Sequence, residues 1–203
     1  MSTATQALEV RQHIIDTARR LMARRGYTAV GLNELLKAAD VPKGSFYHYF
    51  DSKEAFGQAL LDSYFASYLA EMEVTLVKGA GPAAERLMQY WAEWLQIQGH
   101  GDPEGKCLAV KLGAEVSDLS DPMRLALGRG TRAIMDRLAT ALEAGLADGS
   151  LHGIASAHAM AEMLYQIWLG ASLLAKITDD SQPLVAALKA TAQLLHVSVP
   201  PTV

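Results

Sequence analysis

Apolar positions recur every three to four residues along almost the whole chain, and that spacing predicts helices separated by short breaks. Leu8 to Arg25 places Ile14, Ile15, Ala18, Leu21 and Met22 on one face, with Gly26 as the stop. A short run, Leu32 to Ala38, is followed by the turn residues Asp40 and Val41 and by Pro42, a residue suited to the first helical position. That next helix ends near Tyr49. Asp51 or Ser52 caps a fourth helix, with Glu54 in capping-box position, and it runs to about Val77 before Gly79-Ala80-Gly81-Pro82. A fifth, Ala83 to Gln98, carries Leu87, Tyr90, Trp91, Trp94 and Leu95 on one face. Cys107 to about Val116 is short, and Ser120-Asp121-Pro122 opens a long helix with Leu127, Ile134, Leu138, Leu142 and Leu146 in a stripe. Ala155 to Ile177 and Pro183 to Leu195 complete nine helices with no strand, an all-α pattern.

The segment around Tyr165-Gln166-Ile167-Trp168-Leu169 is apolar on every side. A helix of that kind needs cover on both faces, from a second subunit or as the central helix of one subunit. Glu162, Gln166 and Lys176 exclude a membrane span.

Composition adds a class. The 203 residues are 50% hydrophobic and 20% charged, as in a soluble globular protein. No secretory signal is visible at Met1 to Thr5, and the one cysteine excludes an internal disulfide framework, so a cytoplasmic location is expected. Charge is uneven. Residues 1–60 hold eight Lys/Arg against six Asp/Glu, net +2, and the rest hold ten against sixteen, net −6. A basic end on an acidic body suits a protein that presents one end to a polyanion.

Leu32 to Tyr49 has the dimensions of a helix-turn-helix. Its second helix offers Lys43, the Ser45 hydroxyl and backbone amides to phosphates or base edges, and Gly44 permits close approach to a groove. Tyr47 and His48 reach phosphates, while Phe46 and Tyr49 pack inward. Taken alone, the spacing also fits an ordinary pair of core helices. The tract Gly26-Tyr27, Gly31-Leu32-Asn33-Glu34-Leu35-Leu36 and Val41-Pro42-Lys43-Gly44-Ser45-Phe46-Tyr47-His48-Tyr49-Phe50-Asp51-Ser52-Lys53-Glu54 resembles the N-terminal signature of the TetR family of repressors. The resemblance implies a helix-turn-helix domain over residues 1–50 and a helical effector-sensing and dimerisation domain over 51–203. It adds Asn33 and Lys53 to the DNA-binding set. It implies double-stranded operator DNA, a homodimer and a small effector as partners, with no membrane and no cofactor. The last two helices would form the dimer interface, with Tyr165, Trp168, Leu169 and Leu188 as candidate positions. Gly31 and Pro42 depart from the family pattern, where Ser or Thr often caps the two short helices.

Cys107 opens a helix beside Lys106 and one turn from Lys111, and a helix N-terminus with nearby ammonium groups favours thiolate. The competing reading is a small buried hydrophobe. Gly105-Lys106-Cys107-Leu108-Ala109-Val110-Lys111 through Ser120, with Trp168 through Ile177, resembles the NemR-type branch, whose repressors respond to electrophiles and oxidants through a cysteine matching Cys107. Lys106 departs from that branch, which tends to have Gly there. Lys176 is the candidate partner of the thiol, or else a lysine that snorkels to the surface. The alternatives are a non-covalent apolar ligand held by Tyr68, Trp91 and Trp94, or a helical dimer without DNA binding. His158 and Glu162, one helical turn apart, are too few for a metal site. No P-loop, dinucleotide fingerprint or nucleophile elbow is present, so the chain reads as no enzyme.

Overall fold

The computed structural model describes residues 3–99 and 107–199, and among them nine α-helices and no strand. They are α1 (Thr3–Arg25), α2 (Leu32–Ala38), α3 (Lys43–Tyr49), α4 (Lys53–Met72), α5 (Ala83–Gly99), α6 (Leu108–Leu119), α7 (Asp121–Ala147), α8 (Ala157–Thr178) and α9 (Gln182–Leu195). Local chemistry accounts for most boundaries. Gly26 ends α1 at φ +91, a conformation that disfavours any side chain, and its amide donates to Met22 O at 2.8 Å. Ser52 caps α4 by accepting from Ala55 N at 3.0 Å, and Ser156 caps α8 by accepting from Ala159 N at 3.2 Å. Of the two caps open for α4, the structure uses Ser52.

One departure concerns the fourth helix. Its α-helical part stops at Met72, and Glu73–Val77 is a π-helical turn in which Lys78 N donates to Glu73 O at 3.1 Å. Arg86 Nε donates to Leu76 O at 2.9 Å, so the side chain satisfies a carbonyl that a regular helix would have engaged. Periodicity carries no sign of such a turn.

The chain packs as two compact units, Met1–Ala66 with Lys106–Gly130, and Ser67–Gly105 with Thr131–Val203. In the first, Phe46, Phe50 and Phe56 form an aromatic centre with ring centroids 5.0–5.6 Å apart. At Gly130 of α7 the backbone lies against Phe65 so closely that a Cβ would fall 2.1 Å from the ring. In the second unit, Trp91 stacks on Trp168 at 4.8 Å and 12°, and Trp94 lies 6.1 Å from Trp168. Trp168 Nε1 donates to Thr191 Oγ1 at 2.9 Å and Trp94 Nε1 to Ser172 Oγ at 3.0 Å, which satisfies both buried indoles.

Candidate nucleic-acid interface and effector site

The turn between α2 and α3 is tight. Asp40 takes φ +53 and Val41 N donates back to Leu36 O at 2.9 Å, an arrangement Asp tolerates better than most side chains. Phe46 is completely buried on Phe50 and Phe56 and acts as the anchor of α3. With that face turned inward, Lys43, Gly44, Tyr47 and His48 are exposed, and Ser45 is half-buried. Tyr47 is 60% exposed although its ring meets Phe46 edge-on at 5.3 Å, so its hydroxyl end is free to reach outward. Asn33 on α2 is exposed too, as is Lys53, whose Nζ lies 5.2 Å from the centre of the Tyr27 ring. Tyr49 is only half-buried, less inward than its spacing suggests. Neither Gly31 nor Pro42 caps its helix through a side chain, as their departure from the family pattern implies.

Cys107 is the N-cap of α6, where the sequence places it, but the thiolate expectation needs correction. The residue is 3% exposed, and burial pushes the thiol above its ordinary value. The Tyr64 side chain and the Val110 and Ala109 amides act in the lowering direction and offset this only in part, which favours the protonated thiol. Tyr64 is a site residue that sequence reasoning missed; only its position a few turns along α4 relates it to the cysteine, and no local pattern does. Lys106 lies outside the described residues. Lys176 is exposed near the end of α8, in the unit other than that of Cys107.

A cavity of about 70 Å³ in the second unit is lined in part by Tyr68, Glu71, Thr75, Tyr90, Glu93 and Trp94. Tyr68 and Trp94 are two of the three residues named from sequence as candidate ligand contacts. Trp91 does not line it, being fully buried against Trp168. Two carboxylates, Glu71 and Glu93, also belong to the lining. The volume is well below the roughly 300 Å³ at which pockets for drug-sized ligands begin.

A family model described as bacterial regulatory proteins, tetR family, matches residues 14–60, and a tetracyclin repressor-like C-terminal domain matches residues 83–191. The chain belongs to the TetR family. It is 45% identical over 181 residues to the HTH-type transcriptional repressor NemR of Escherichia coli (strain K12), covering 89% of this chain and 90% of that one. It is 32% identical over 176 residues to the HTH-type transcriptional repressor DhaR of Mycobacterium sp. (strain GP1), covering 86% of each. The crystal structure of E. coli NemR in its reduced form superposes with a TM-score of 0.86 at 42% identity, over 96% of this chain and all of that one. These relatives are transcriptional regulators and not enzymes.

On this TetR-family frame the expected dimer positions are revised. Tyr165, Trp168 and Leu188 are 2%, 0% and 1% exposed within one protomer, so they hold α8 and α9 in its core and present nothing to a partner. Leu169 is half-buried. The outward stripe of α8 consists of Met163, Leu173, Leu174 and Ile177, with exposed Gly170 between them. Periodicity finds a two-sided helix but not which side faces inward, because both sides are apolar. His158 Nε2 lies 3.2 Å from Asp136 Oδ1 on α7, an exposed pair. Among the described residues no three His, Cys, Asp or Glu side chains gather as a metal site, and no helix is long and apolar enough to cross a membrane.

Proposed function

We propose that the chain is a cytoplasmic repressor that binds a near-palindromic operator as a homodimer and leaves it when a small electrophile or oxidant reacts at Cys107. The observation that carries the reading is the outward edge of α3, Lys43, Gly44, Tyr47 and His48, fixed from behind by buried Phe46. A short helix held this way inserts its exposed edge in a major groove, while Ser45, Asn33 and Lys53 add phosphate contacts. Residues 1–50 read DNA, and residues 51–203 sense and dimerise. The apolar stripe Met163, Leu173, Leu174 and Ile177 is the surface a second copy covers, with Gly170 permitting close approach.

The sensing part rests on Cys107 at the start of α6 and on the similarity to NemR. A buried thiol reacts with small neutral reagents when the helix start opens. The proton passes to water, the thiolate sulfur bonds to the β-carbon of an α,β-unsaturated carbonyl, and the displaced π electrons form an enolate that is protonated at the α-carbon. Cys107 is 3% exposed and Leu108, the first residue of α6, is 1% exposed, so volume added at the thiol displaces the start of α6.

The operator is found by selecting bound duplexes from a random pool. Two half-sites about 34–36 Å apart, or a multiple of that, are expected. Methyl vinyl ketone should then release the parent protein and leave Cys107→Ser on the DNA. Equal release of both sinks the thiol mechanism, and selection of no two-fold site sinks the dimeric reading.

A further inference from the structure

The six-residue turn from Gly26 to Gly31 joins α1 to the helix-turn-helix, and two of its backbone donors, those of Tyr27 and Thr28, are taken by a side chain distant in sequence. Glu115 of α6 accepts from Tyr27 N at 3.1 Å through Oε2 and from Thr28 N at 2.7 Å through Oε1. The Thr28 hydroxyl donates to Oε1 as well. One helical turn earlier, Lys111 Nζ donates to Arg24 O at 3.2 Å. Gly26 makes the approach possible, since a Cβ there would lie 3.1 Å from Glu115 Oε2 on a backbone already at φ +91. Tyr27 is held at its other end also: its hydroxyl donates to Lys53 O at 3.0 Å, at the first residue of α4. The α1–α2 turn is thus pinned to α6 on one side and to the start of α4 on the other.

This is an unusual place for a carboxylate. The C-terminal end of α1 carries the negative pole of the helix, so an acidic group there is repelled unless specific donors hold it. Partial burial also raises the Glu115 carboxyl, yet Thr28, the Tyr27 amide and Lys111 outweigh it and leave the group below its ordinary value.

We propose that Glu115 is the positioning residue by which α6 sets the helix-turn-helix for operator binding. Cys107, Lys111 and Glu115 stand at i, i+4 and i+8, on one face of a helix. A displacement at the Cys107 end is therefore passed along a rigid rod to the donors of Tyr27 and Thr28. This second step rests on the thiol reading above; the effect on operator affinity does not.

The test uses the full-length dimer on its selected operator, with Glu115→Ala, Glu115→Gln and Thr28→Val compared with the parent. Operator affinity should fall about tenfold or more for Glu115→Ala, less for Glu115→Gln, which keeps its carbonyl acceptor, and least for Thr28→Val. The salt slope should stay that of the parent, because the phosphate contacts of the bound state are unchanged. Exchange of the Tyr27 and Thr28 amides should quicken. Parent-like affinity, within about twofold, in a cooperatively melting Glu115→Ala overturns the proposal. If that variant does not fold, parent-like affinity of Glu115→Gln and Thr28→Val does so. The ratio of operator affinities before and after methyl vinyl ketone should shrink toward one in Glu115→Ala, and an undiminished ratio refutes the transmission step. Failure of the ketone to release even the parent refutes the thiol reading, while the affinity arm still decides Glu115.

Discussion

In the unit that carries α1 to α3, much of the joining between helices is done by polar groups meeting backbone. Glu115 holds the α1–α2 turn, Tyr27 reaches Lys53 O, and the His13 ring bonds Ala39 O at 3.0 Å. In the unit that carries α5, α8 and α9, Trp91 stacks on Trp168 with Trp94 tilted against both, and the hydrogen bonds of Trp94 and Trp168 serve chiefly to avoid a burial penalty. The contrast follows from the tasks. A DNA-reading edge must stay exposed and polar, and the unit that bears it adds to its apolar core of Phe46, Phe50 and Phe56 side-chain bonds that fix the turn leading into α2. A directional bond also has a definite geometry to lose, which makes such a unit responsive to small shifts.

The largest break in that comparison is Trp168→Ala. It should cost about 3–5 kcal/mol in thermal or denaturant unfolding, as for other buried tryptophans. A loss that vanished at high protein concentration would return Trp168 to the subunit interface. Next, Leu174→Glu combined with Ile177→Glu should weaken dimerisation by about a hundredfold in sedimentation, by removing apolar contact and adding charge. The protomer's helicity should be unaffected, since both side chains are more than half exposed. Third, Lys43→Ala should weaken operator binding about tenfold and lower the salt slope by about one, with stability changed by no more than roughly 0.5 kcal/mol. An unchanged slope would mean that Lys43 does not reach a phosphate.

The smallest expected effect is acid sensitivity of the polar unit. Glu115 has a folded pKa below its unfolded value of 4.5. Its contribution is therefore complete above 4.5 and is lost as pH falls through the lower folded value. Glu115→Gln should flatten the stability profile below that point and leave it parallel to the parent at neutral pH. Buried Cys107 works oppositely: with its thiol pushed above 9.0, the folded state favours the proton, and folding contributes nothing to its ionisation near neutrality.

Nine helices and the helix-turn-helix tract were legible because they depend on residues a few positions apart: Gly26 as a stop, Asp51 or Ser52 as a cap, Phe46 on the inward side of an otherwise polar helix. The π-helical turn at Glu73–Val77 was not, since Arg86, which engages its carbonyl, comes after a break in the chain. For the site, the outward residues of α3 were legible from one helix alone. Of the two readings of Cys107, helix position and neighbouring charge favoured the thiolate because they can be read locally, whereas the burial that raises the thiol cannot.

The sequence by itself determined the fold class and the outward edge of α3, which arise from periodicity and short-range chemistry, and the tract from Gly26 to Glu54 carried the resemblance to the family. Only the tertiary structure decided that Trp168 faces inward, that burial favours the protonated thiol of Cys107, and that Glu115 holds the turn at Tyr27 and Thr28. Each of those depends on which surfaces meet across 23 to 88 residues of chain, and burial at such meetings sets both the energy and the reactivity.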